Sequence, residues 1–194
     1  MLVRSLSVLA LVLAPVVARA ADEENPYKTA KVGDFATYKM TTKVAGLNLD
    51  GSITQTVTEK SDKEATVKAT GVIEFGGNKM DIPAQEQKID LTKPFDPTKA
   101  GALPGGAEAK VEKGKEGKEK IKVGGKEYEA TWTTYTAKMK LMGQDIDADM
   151  KVWMAKGVPA GGMVKMTMTA KIGGQDMEMV MELTESGNTK KKKE

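Results

Sequence analysis

Cysteine and histidine are absent from this chain of 194 residues, and its only arginines, Arg4 and Arg19, lie in the first twenty. Without cysteine there can be no disulfide and no lipid attached through a lipobox thiol. Without histidine there is no side chain whose ordinary pKa suits proton transfer near neutral pH, and no imidazole metal ligand. Beyond residue 20 the forked guanidinium that grips phosphate or carboxylate is missing as well. The remaining residues imply no cofactor.

Only one long apolar run is present, and it sits at the start. In "MLVRSLSVLALVLAPVVARA" Arg4 precedes an apolar stretch from Leu6 to Ala18, and the segment ends Ala18-Arg19-Ala20. A charged beginning, an apolar middle and an A-x-A end in that order read as a secretory signal peptide. The run is broken by Pro15 and falls short of the roughly 20 residues a membrane-spanning helix needs. Residues 1–20 are therefore expected to form an N-terminal signal helix cut before Ala21. That leaves 174 residues (194 minus 20) for an exported protein, periplasmic or extracellular.

Removing the two signal arginines takes the net charge from +3 to +1, and the final "KKKKE" alone supplies +3. The folded part is close to neutral, so no broad basic face for nucleic acid is expected. Near an anionic bilayer the four tail lysines contribute at most about 1 kcal/mol each, too little for stable anchoring once the signal is cleaved.

From Asp34 onward the pattern has period two. In "DFATYKMTTKV", Ala36, Tyr38, Met40 and Val44 share one face while Thr37, Lys39, Thr41 and Lys43 share the other, as in a half-buried strand. The same alternation returns in Leu47, Leu49, Ile53 and Val57, and in Ala65, Val67, Ala69 and Ile73. Glycine turns at Gly46, Gly76, Gly124, Gly143 and Gly173 punctuate these runs and read as tight hairpins.

The chain is thus expected to be all-β, an antiparallel meander of about ten strands forming a curved sheet or partly open barrel. The expected limits are a lead-in at 21–33, one β domain at 34–186 with a Pro/Gly-rich loop at 93–110, and a disordered Lys-rich tail at 187–194. The loop is expected because Pro94, Pro97 and Pro104 forbid helix and central strand. The lysines after it alternate with Glu112, Glu116, Glu119 and Glu127, as in a solvated edge hairpin.

Ten of the thirteen methionines lie from Met139 onward. Met166 and Met168 share a face with Val164 and Ala170, and Met177, Met179 and Met181 share one with Leu183. The simplest reading is that they point into the core. Two functional readings stand beside it. Flexible, polarizable thioethers can line a site for an apolar ligand of variable shape such as an acyl chain. Clustered thioethers also suit Cu(I), provided about three sulfurs can converge.

"DIDAD", with Asp145, Asp147 and Asp149, opens like a calcium loop. Its sixth position is Met150 and its twelfth Lys156, which supply neither the sharp turn nor the bidentate ligand, so no metal site is assigned. Ser52, Ser61 and Ser186 stand in no nucleophile elbow and have no histidine to activate them, so no catalytic residue is assigned either. Trp132 shares a phase with Tyr128 and Ala130, whereas Tyr135, Ala137 and Met139 continue on the opposite one, which predicts a β-bulge near Thr133. Trp132 is placed with the methionines as a ligand-lining candidate. Trp153, on the polar face before "GVPAGG", is either a lid over a sheet edge or an exposed anchor for a partner protein.

The "VW" strand, the Val-Pro turn and the following "VKM" strand, within Ile121 to Glu185, resemble the late strands of lipoprotein-carrier-like folds of the LolA and LolB type. That resemblance implies a curved antiparallel sheet around an apolar cavity that binds lipid or lipoprotein acyl chains without catalysis. The chain departs from the pattern by lacking arginine and any clear helix to plug the sheet. The leading expectation is a non-enzymatic envelope carrier module holding an apolar small molecule or lipid on a Met-lined concave face. The alternatives are a structural or protein-interaction envelope protein without a small ligand, and a Cu(I)-binding protein.

Overall fold

The computed structural model describes residues 25–95, 109–141 and 144–190. The signal segment, the middle of the Pro/Gly-rich loop, the turn at Gly143 and the last four residues lie outside them. The described residues fold as nine strands: β1 (Asp34–Val44), β2 (Leu47–Lys60), β3 (Glu64–Phe75), β4 (Asn78–Asp90), β5 (Ala109–Val123), β6 (Lys126–Leu141), β7 (Gln144–Ala155), β8 (Met163–Ile172) and β9 (Gln175–Asn188). All belong to one antiparallel sheet in the order β4-β3-β2-β1-β9-β8-β7-β6-β5. The expected all-β meander is what forms, with nine strands in place of about ten. It consists of two meanders, β1 to β4 and β5 to β9, fused where β1 pairs with β9.

Glycine dictates the tight turns. Gly76–Gly77, Gly124–Gly125 and Gly173–Gly174 all have positive φ, and two-residue hairpins need that conformation to follow the twist of the strands. The β1–β2 turn is the exception, because it places Ala45 at φ 53 beside Gly46.

Strand direction sorts the connections into two ends. The tips at 45–46, 76–77 and 173–174 lie at one end, here called upper. The turn at 61–63, the Gly124–Gly125 tip, the 156–162 loop and residues 25–33 lie at the other. β4 ends at the lower end and β5 begins at the upper.

One face, here called inner, carries the core. Across neighbouring strands Val152, Met166, Met181 and Met40 stand in one row, and Met150, Met168 and Met179 in the next, all buried. Methionine suits such rows because an unbranched thioether fills the irregular space left by a twisted sheet.

At the lower end the inner face is closed. A single 3₁₀ turn, Pro26–Lys28, brings in Tyr27, which is fully buried and lies 6.0 Å from the Phe95 ring, centroid to centroid. A Cβ built on Gly161 would come within 2.6 Å of Tyr27 Cζ, so only glycine lets the ring seat there. Asn25 Nδ2 donates to the carbonyls of Asp90 and Lys93, both at 3.2 Å, and Lys60 Nζ donates to the Ala30 carbonyl at 2.6 Å. The closing element that the sequence lacked as a helix is thus supplied by residues 25–30.

The buried core also reaches the outer face of β5 to β7. Gly124 lies against β9, where an added Cβ would stand 2.8 Å from the Leu183 carbonyl oxygen, although three strands separate β5 from β9 in the sheet. The β5–β6 hairpin therefore folds back, and Val123, Ala130, Trp153 and Ala155 are buried there. This corrects the expected bulge near Thr133. β6 pairs with β7 in unbroken register from Ala130 to Leu141, and the irregularity lies in β5, between Lys113 and Glu116. β6 is apolar on both faces because both pack against buried residues.

Candidate ligand-binding site

The sequence-selected methionines prove to be mostly core. Met166, Met168, Met179 and Met181 are all buried, and Met177, paired with Val44 and Ala170, is half-buried. None of the four buried thioethers presents surface to a solvent-borne ligand. Among the described residues, no group of three or more carboxylates could hold a metal ion. "DIDAD" lies within β7 as extended strand, with Asp147 exposed 4.0 Å from Lys138.

Trp132 does not join the methionines. It stands directly opposite Trp153, while the next residue, Thr133, stands opposite the inward-facing Val152, so both indoles are on the outer face. Placing it among the ligand-lining residues followed from assuming a parity switch that the strand does not make. Trp153 is not an exposed anchor either, being only 8% exposed. Its indole N–H donates to Glu119, and Lys151 Nζ sits 4.3 Å from the Trp132 ring centroid and 4.4 Å from that of Trp153. Glu119 also accepts from Lys151 at 3.2 Å.

The sheet makes this cluster possible. An added Cβ on Gly117 would come within 2.6 Å of Trp132 Cζ2, so glycine is what lets the ring lie against β5. The indole N–H and then the Lys151 ammonium hold the Glu119 carboxyl below its usual range. This arrangement is a fastener for the folded hairpin, with its cation already supplied by the chain.

Apolar surface becomes accessible elsewhere. Leu47 is 50% exposed, Phe75 43% and Met80 55%, and these are three of the four large apolar side chains that are exposed among the described residues. All three lie at the upper end and share the inner-face parity. Leu47 lies two residues from Leu49 and four from Gly51, and Gly51 pairs with Ile73, which pairs with Met80. Phe75 follows Ile73 on the same face. Half-buried Val44, Leu49, Ile73 and Ile82 connect this rim to the core.

The rim was not singled out from the sequence. Its alternation is visible there, but its exposure depends on what lies above the strand ends. One local signal existed: "VAGL", Val44 to Leu47, is a hairpin tip with no polar residue, where turn chemistry favours Asn, Asp or Gly.

Burial pushes the phenols of Tyr27 and Tyr38 up, Tyr38 also through the nearby Tyr27, so both stay protonated at neutral pH. The Tyr38 hydroxyl donates to the Met163 carbonyl at 3.3 Å.

No protein-family model and no curated protein matches the chain. Several solved structures are similar. A Bacteroides fragilis protein, described as exported and of YmcC-like fold, is 11% identical, with 82% of this chain and 97% of that chain covered at a TM-score of 0.47. The S-type phycobiliprotein lyase of Guillardia theta is 9% identical, with 87% and 96% covered at 0.40. A Vibrio parahaemolyticus domain, described as outer membrane lipoprotein-sorting, is 10% identical, with 87% and 90% covered at 0.30. These are likenesses of broad architecture and assign no ligand.

Proposed function

We propose that this is an exported, non-enzymatic binding module that takes an apolar ligand, such as an acyl chain or lipid, on the upper inner face of β1 to β4. The observation that carries this reading is the difference in cover along one face. The same alternation that is sealed below by Tyr27 ends above in Leu47, Phe75 and Met80, each about half exposed. Soluble domains rarely leave contiguous apolar side chains open without a partner for them.

The ligand site is therefore read at the rim, where the exposed Met80 offers a flexible, polarizable thioether that tolerates chains of differing shape. Export is supported by the order of charge, apolar run and A-x-A in the first twenty residues.

Native mass spectrometry of protein isolated gently from its host, without detergent, tests the reading. A lipid-mass adduct lost on unfolding is the expected result, and it should be depleted in Leu47→Ser with Phe75→Ser. A bare mass that persists after incubation with fatty acid and phospholipid would sink the proposal.

A further inference from the structure

Among the described residues the sheet ends in two edge strands, β4 and β5, which differ in a way that points to a partner. β5 carries Lys110, Lys113, Lys115, Lys118, Lys120 and Lys122 against Glu112, Glu116 and Glu119, a net charge of +3 (six minus three) that a second copy of the same edge would repel. β4 carries Lys79 and Lys88 with Asp81, Glu86 and Asp90, and these are spaced symmetrically about the Ala84–Gln85 bond.

The bulge in β4 makes that symmetry physical. Leu91 N–H bonds the Lys63 carbonyl on β3, and backbone groups alternate sides along a strand, so Glu86, Lys88 and Asp90 turn theirs toward the free edge. Asn25 reaches the Asp90 carbonyl from that side. Above, the two-residue turn pairs Asn78 with Phe75, so Lys79, Asp81 and Pro83 are the outward residues. The register shift opposite Ala69 to Gly71 changes the outward set from odd to even numbers. Without that shift, no two-fold pairing could be centred between Ala84 and Gln85.

We propose that two copies of this chain pair antiparallel along β4, with Lys79 opposite Asp90, Asp81 opposite Lys88 and Pro83 opposite Glu86 across a two-fold axis. Every opposed pair then consists of two outward residues, and both charged pairs join opposite signs on the outer face. Sliding the register by two in one direction opposes Lys79 to Lys88 and Asp81 to Glu86, and in the other it opposes Asp81 to Asp90. Sliding it by one sets outward groups against inward ones. Charge and hydrogen-bond phase therefore select the same register.

On the inner face the pairing sets Met80 against Ile89 and Ile82 against Gln87 of the second copy, which covers the exposed Met80 thioether. Pro83 has no N–H to give, and on an edge strand its ring belongs on the outward side. Its carbonyl still accepts from Glu86 N–H, so each central pair keeps one bond. The Asp90 carbonyl is already taken by Asn25, and the ladder ends there. The pairing would take Met80 out of the rim and leave Leu47 and Phe75 open, so it holds whether or not a ligand binds there.

Sedimentation equilibrium of the purified protein tests it. The expected state is a dimer. Asp81→Lys or Lys88→Asp alone sets like charges together twice per dimer and should weaken association by about tenfold or more. Combining them restores opposite charges and should bring the dissociation constant back to within about threefold of the parent. That rescue separates a lost contact from a misfolded variant. A monomer at about 100 μM overturns the proposal. A dimer indifferent to both single changes, a double variant as weak as the singles, or assembly growing beyond two copies with concentration also overturns it.

Discussion

The lower and upper ends of this sheet are built from the same alternating strands, yet one end is sealed and the other is open. Below, Tyr27, Leu91 and Ala160 are almost entirely buried, drawn from three remote segments. Above, side chains of the same parity reach solvent at Leu47, Phe75 and Met80. Parity therefore sets which face a residue is on, and chain segments far away in sequence decide whether that face is dry.

The sharpest way to break the contrast is at the seal. Tyr27→Ala should cost about 3–5 kcal/mol, the range for removing a fully buried ring, because the Gly161 backbone packed against it can only partly collapse into the space. Urea unfolding would measure it. A loss below about 1 kcal/mol would mean that the lower end is held by backbone ties such as Asn25 to Asp90 rather than by the ring.

At the open end the expected effects are smaller and one has the opposite sign. Ala45 occupies an exposed tip at φ 53, a conformation that disfavours a Cβ. Ala45→Gly should stabilise the fold by about 1 kcal/mol, read from the same urea transition. Phe75→Ser should change stability by no more than about 0.5 kcal/mol, since its ring is not sealed, while depleting bound lipid in the native mass spectrum. A large loss of stability in Phe75→Ser would show that the rim is core and not a site.

Much of this was readable in the sequence, for reasons that differ by residue. Glycine pairs and period-two runs are local signals, so the strands and four of the turns could be placed from neighbours alone. The inward aim of Met166, Met168, Met179 and Met181 followed from parity. Trp132 was misplaced because β6 has apolar residues on both faces, and a sequence cannot distinguish that from a bulge, whereas Trp153 was placed on the right face and only its burial went unread. The Glu119 partnership was also out of reach, because it spans 34 residues and depends on the hairpin folding back. The seal by Tyr27 joins residues more than 100 positions apart, and no periodicity records that.

The weakest expected effect concerns how the outer cluster responds to acid. Glu119 accepts from the Trp153 indole and from Lys151, and both hold its carboxyl below the usual glutamate range. A carboxylate whose folded pKa is depressed adds stability that is present above its unfolded value and lost as pH falls through the folded one. The loss belongs to the acid limb, starting near the usual carboxylate range of about 4 and running below it. Glu119→Gln keeps an acceptor for the indole but removes the charge facing Lys151. The variant should be slightly less stable than the parent at neutral pH, and the two should converge as the pH falls below the usual carboxylate range. A difference that stays constant through that range would mean that the indole bond, and not the charge, fastens the β5–β6 hairpin to the outer face. The upper rim has no titratable partner of this kind among its apolar side chains, so Phe75→Ser should give a difference that does not vary with pH.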